Sequence, residues 1–95
     1  MERFYALKFE PHPFVTHGVI ARMDFPNGYT ASVVQTLHSY GGDQGLYELA
    51  VMRDDEVVYD TSITSDVLGH LTPEEVDKVL GDIMSLKNLT NVRKL

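Results

Sequence analysis

The sequence predicts an α+β fold: an antiparallel sheet of four to five strands, mostly a meander, with one C-terminal helix packed on one face. Three observations carry this. Apolar residues alternate with period two in short runs through the first sixty of the 95 residues. Turn-forming residues separate those runs. From Thr72 onward the apolar period becomes that of a helix. Strands grouped first and a helix last give α+β rather than α/β.

The elements follow in order. Residues 3–9 read as a strand, with Tyr5, Leu7 and Phe9 on one face, and Pro11-His12-Pro13 stops its pairing. The clearest hairpin comes next. Val19, Ala21, Met23 and Phe25 share one face of a strand, and Tyr29, Ala31 and Val33 share one face of its partner. Pro26-Asn27-Gly28 between them has the chemistry of a type I turn closed by a glycine bulge. Residues 37–45 form a polar loop with three glycines. A second hairpin places Tyr47, Leu49 and Val51 on one strand, Asp54-Asp55 in the turn, and Val57 and Tyr59 on the return strand.

Ser65 to Gly69 reads as a single helical turn, capped by the serine and ended by the glycine. Thr72-Pro73-Glu74-Glu75 then opens a full helix, with a capping box from Thr72 to Glu75 and Pro73 at the first helical position. Val76, Val79, Leu80 and Ile83 form its apolar stripe, and Gly81 suggests a close approach to the sheet. Lys87 and Asn88 end it. The chain reads as one domain over residues 1–95, with 89–95 a frayed tail. The sheet face away from the helix carries Ile20, Arg22, Asp24, Thr30, Ser32, Val34, Glu48 and Ala50, a mixed surface suited to a partner or a second subunit.

Composition narrows the function. Hydrophobic residues at 43% and charged residues at 23% are ordinary globular values. A net charge of −6 speaks against direct nucleic-acid binding, which needs a basic surface. The absence of cysteine removes disulfides, thiolate catalysis and cysteine metal sites. No apolar run approaches a membrane span, and the first residues lack the apolar core of a signal peptide. A cytoplasmic protein is expected.

Charge is segregated. Residues 1–42 hold three acids and three bases, residues 43–82 eleven acids and two bases, and residues 83–95 three bases and no acid. Asp43, Asp54, Asp55, Glu56, Asp60 and Asp66 are therefore candidate partner-binding residues, set against the plainer reading that they only solubilise the chain. Tyr40 in the glycine-rich loop is either an interface anchor or a core residue beneath that loop.

Catalytic and cofactor chemistry finds little support. His12, His17, His38 and His70 match no common zinc spacing. The glycines at 41, 42 and 45 lack the Lys-Ser/Thr of a phosphate cradle, and Asp43 would repel phosphate. No Gly-x-Ser-x-Gly elbow is present. Neither an enzyme, nor a cofactor, nor a metal site is expected.

The strings Phe25-Pro26-Asn27-Gly28-Tyr29-Thr30-Ala31-Ser32-Val33-Val34, Ser39-Tyr40-Gly41-Gly42, Gly45-Leu46-Tyr47-Glu48-Leu49-Ala50-Val51 and Tyr59-Asp60-Thr61-Ser62-Ile63-Thr64-Ser65-Asp66-Val67-Leu68-Gly69, with Leu71-Thr72, resemble a family of small uncharacterised bacteriophage-encoded proteins. The resemblance implies a phage or prophage origin and expression in the cytoplasm of a bacterial host. It brings no activity with it. Together these readings give a small acidic accessory protein that binds and modulates a host protein with a basic surface. A sharper form has the acids mimic nucleic-acid phosphate. The alternatives are a small enzyme or ligand-binding domain built on the glycine-rich loop, and a self-assembling subunit. A homodimer through the sheet is expected.

Overall fold

The computed structural model describes residues 1–87. The fold is α+β, an open antiparallel sheet with a C-terminal helix against one face. Its elements are α1 (Glu2–Ala6), β1 (Glu10–Pro11), β2 (Val19–Asp24), β3 (Thr30–Gln35), β4 (Tyr47–Arg53), β5 (Glu56–Val57), β6 (Leu68–Leu71) and α2 (Pro73–Met84). The spatial order is β1-β2-β3-β4-β5, and β6 also pairs with β4. The expected tail at 89–95 lies outside the described residues.

The β2–β3 hairpin forms as its turn chemistry dictates. Ala21 pairs with Val33 and Met23 with Ala31. The Gly28 N–H donates to the Phe25 carbonyl at 3.1 Å, and the Phe25 N–H to the Tyr29 carbonyl at 2.8 Å. Gly28 has φ 95°, as the bulge position demands. Ala31 and Val33 on β3, and Leu49 and Val51 on β4, are fully buried. They meet the stripe of α2, where Val76, Leu80 and Ile83 are fully buried and Val79 half-buried. The capping box is present: the Thr72 hydroxyl accepts from the Glu75 N–H at 3.2 Å, and the Glu75 carboxylate accepts from the Thr72 N–H at 2.9 Å.

Four expectations need correction. The first strand is instead the short helix α1, an extended segment and the two-residue β1. The alternation of Tyr5, Leu7 and Phe9 misleads, because the helix is held by a distant partner. Asp77 on α2 accepts a 2.9 Å hydrogen bond from the Phe4 N–H and lies 3.4 Å from the Arg3 guanidinium. Asp77 thus satisfies an N–H that α1, with no side-chain cap of its own, leaves open. The Phe4 N–H holds the Asp77 carboxyl below the usual carboxylate range, opposed next by burial and aided by the N-terminal ammonium and Arg3. Phe4, Phe9 and Tyr47 pack as an aromatic cluster, with Tyr47 5.4 Å from both other rings.

The second correction concerns residues 65–69, which make no helical turn. Leu68–Leu71 is β6, paired to β4 through Tyr47↔Leu71 and Leu49↔Leu68. Gly69 and His70 face the single residue Glu48, a β-bulge with His70 at φ 56°. A free edge on β4 wins over the local capping pattern. The third concerns the return strand of the second hairpin. It is only Glu56–Val57, and Val58, not Tyr59, enters the core, its N–H donating to the Val51 carbonyl at 2.8 Å. The fourth concerns α2, which ends at Met84 with Ser85 as its cap. Its Gly81 faces Arg3 of α1 rather than the sheet.

A Cβ at position 81 would lie 3.0 Å from the Arg3 Cζ. Arg3 is 45% exposed, so its flexible end can shift. Gly81→Ala is therefore expected to stabilise the domain by about 0.5–1 kcal/mol, the usual helix-interior cost of glycine. The denaturant midpoint measures it, and a fall in the midpoint would show that Arg3 is pinned in place.

Candidate functional site

The candidate interaction residues fall in separate places, the first of them one end of the sheet. The β4–β5 connection is a two-residue turn with Asp54 at φ 54° and Asp55 at φ 65°. Both central residues at positive φ define a type I′ hairpin, which aspartate tolerates better than most residues. Asp54, Asp55 and Glu56 are all exposed at this tip. Asp55 accepts a 3.0 Å hydrogen bond from the Arg22 Nη2, with 86% of the Asp55 side chain exposed. An ion pair this exposed adds little stability. A groove beside it is lined by Arg22, Asp24, Thr30, Asp54 and Asp55, with the edges of Phe25 and Tyr29. Asp24 accepts from the Thr30 hydroxyl at 2.6 Å.

Arg22 and Asp24 thus join the acidic turn, and the sequence reading placed them only on the mixed face. The signal lies in the strand pairing and not in the sequence pattern. The register Arg22↔Ser32↔Ala50 puts small residues beside Arg22 on β3 and β4, so the arginine can cross the face.

Tyr40 and Asp43 sit elsewhere. They precede β4, whereas Asp54 to Glu56 follow it, and seven strand residues separate the two groups by roughly 20 Å. Tyr40 is 62% exposed, so it is not a core residue beneath the loop. Its backbone is fixed: the Tyr40 N–H donates to the Glu48 carboxylate at 2.8 Å, and its carbonyl accepts from the His70 N–H at 3.0 Å. Asp43 is exposed on a short 3-10 turn over Gly42–Gln44.

The glycine-rich loop spends its donors internally. The N–H groups of Gly42, Gln44, Gly45 and Leu46 bond to carbonyls of the same loop at 3.0–3.1 Å. A Cβ at Gly42 would overlap the Thr36 carbonyl oxygen. Gly42 is there for packing, and the loop presents no ring of free N–H groups to an anion.

Asp60 and Asp66 lie on a third element. β5 and β6 occupy the same edge of β4, and residues 59–67 leave that edge between them. Thr61 and Thr64 brace this excursion, accepting from the Ile63 N–H at 3.2 Å and the Asp66 N–H at 3.0 Å. Ile63 packs against the core. The six acids therefore fall in three places: one at the loop before β4, three at the tip after it, and two on the excursion.

The His12 Nδ1 accepts from the Phe14 and Val15 N–H groups at 3.1 and 3.2 Å, a turn-bracing duty. Among the described residues, no three His, Asp or Glu side chains are grouped closely enough to hold a metal ion. Nor is any helix long and apolar enough to cross a membrane. Comparison with protein-family models, curated proteins and solved structures finds no match.

Proposed function

We propose that this chain is a small, non-enzymatic binding protein that docks through its acidic end on a basic surface of a host protein and modulates it. The observation that carries this reading is the β4–β5 tip. Asp54, Asp55 and Glu56 are exposed at a type I′ turn, with Asp24 beside them and Arg22 bonded to Asp55. An exposed excess of acidic side chains on a defined turn steers a basic partner and orients it. The phage-like strings support a setting in the cytoplasm of an infected bacterium, with the acidic end a mimic of nucleic-acid phosphate. Tyr40 and Asp43, at the other end of β4, belong to a separate contact. Self-assembly is the second reading, favoured by the open outer edge of β2.

The test uses asparagine, because it keeps the positive-φ conformation and removes the charge. Chain bearing Asp54→Asn and Asp55→Asn is compared with the unaltered chain in capture from bacterial extract at low and high salt. Capture by the unaltered chain is expected to fall steeply as the Debye length shrinks from about 10 Å at 0.1 M to about 3 Å at 1 M salt. The double variant is expected to associate about tenfold more slowly at low salt. Added nucleic acid should displace the partner. A partner indifferent to salt and to both substitutions would sink the electrostatic reading.

A further inference from the structure

Among the described residues, the outer edge of β2 is paired only at its beginning. Glu10 and Pro11 pair with Ile20 and Val19, and no strand lies beside Ala21–Asp24 on that side among the described residues. The cause is local. Leu7 is drawn into the core, so the segment leading into β1 leaves the line of the sheet. Its departure opens a groove of about 630 Å³, with Ala6, Lys8 and Glu10 on one wall and Ile20 to Met23 on the other.

Backbone direction along this edge follows from the hairpin. Phe25 and Tyr29 are a hydrogen-bonded pair, so alternation sends the N–H and C=O groups of Met23 and Ala21 toward β3. Those of Arg22 and Asp24 point outward, where no strand meets them. Such groups are a template for another strand.

We propose that the partner on this edge is a second copy of the chain, paired antiparallel about a two-fold axis at Met23. This deepens the self-assembly reading and rests on it. The charges select the register. With Met23 opposite its own copy, Arg22 of each chain lies opposite Asp24 of the other, twice over. Both are hydrogen-bonded pairs, which uses all four outward-pointing groups of each edge. A shift of the axis to Arg22 or to Asp24 would set like charges face to face, which is unfavourable. The Arg22 Nη2 already serves Asp55, and the guanidinium has further donors for the partner's carboxylate. The paired stretch is short, bounded by Glu10 beside Ile20. The dimer is accordingly a weak, concentration-dependent one.

The chain has no cysteine, which makes the test clean. At the axis, a non-hydrogen-bonded pair brings Cα atoms to about 4.5 Å, within disulfide range. Met23→Cys is expected to form a disulfide-linked dimer on oxidation, and Asp43→Cys, away from the edge, is not. Arg22→Asp and Asp24→Arg are each expected to weaken dimerisation about tenfold, as seen by light scattering from about 10 µM to about 1 mM. Mixed one to one, the two variants should restore it as a heterodimer, because each then meets opposite charge. Both residues are exposed, so thermal melts should be unchanged. A monomer across the whole range overturns both the interface and the self-assembly reading. A dimer that neither cross-links through position 23 nor responds to the charge variants overturns the β2 interface and leaves self-assembly standing.

Discussion

Leu49→Ala is expected to cost the domain about 3 kcal/mol, within the range for truncating a buried leucine. Leu49 is fully buried at the centre of β4. Val33 lies opposite it on β3 and Leu68 opposite it on β6, and it shares the core with Leu80 and Ile83 of α2. Three elements would therefore line the void, and two of them are fixed in place by strand pairing. Little collapse is possible, which puts the cost well above simple transfer of the lost methyl groups. A small domain holds roughly 5 kcal/mol or somewhat more in total, so half its stability is at stake. Urea unfolding followed by circular dichroism reads this directly. A loss under about 1 kcal/mol would show that α2 is not seated over β4.

The second large effect is expected at Asn27. This turn residue is only 7% exposed. Its Nδ2 donates to the carbonyls of Ile83 at 2.8 Å and Leu86 at 3.1 Å, and its Oδ1 accepts from the Tyr29 N–H at 3.1 Å. One amide therefore joins the β2–β3 turn to the end of α2, adding a side-chain donor to the carbonyls of its last turn. Asn27→Asp keeps the shape and the Tyr29 bond but replaces the donor with a carboxylate facing carbonyl oxygens at the negative end of the helix dipole. A loss of about 3 kcal/mol at pH 7 is expected, from the lost Asn27 hydrogen bonds and a buried charge together. Lowering the pH protonates the new carboxyl and restores a donor, so the deficit should shrink in acid. A variant as stable as the parent at pH 7 would show that the turn and the helix end are not coupled.

What the sequence made legible was local. The β2–β3 hairpin was readable because Pro26, Asn27 and Gly28 encode its turn. The start of α2 was readable because Thr72, Pro73 and Glu75 encode its cap. Asp54-Asp55 was readable as a turn, and with that its exposure. What escaped depends on distant partners. α1 exists because Asp77, 73 residues away from Phe4, takes its open N–H. β6 exists because β4 offers an edge that Leu68 and Leu71 can fill. Asn27 showed its turn role in the sequence and hid its bonds to α2. Of the candidate site, the acidic tip was legible, and its association with Arg22 and Asp24 required the strand register.

The Asp77 clamp also sets an order of assembly. A five-residue helix has no stability of its own in water. α1 can take shape only after α2 is seated, and joining segments 73 residues apart demands chain entropy that a local hairpin does not. The β2–β3 hairpin, closed by its own turn, belongs to the early stage of folding, and α1 to the last. On the way out the reverse order is expected, with α1 leaving before the sheet opens. Loosening the clamp therefore shortens the lifetime of the native state while leaving the speed of folding almost untouched.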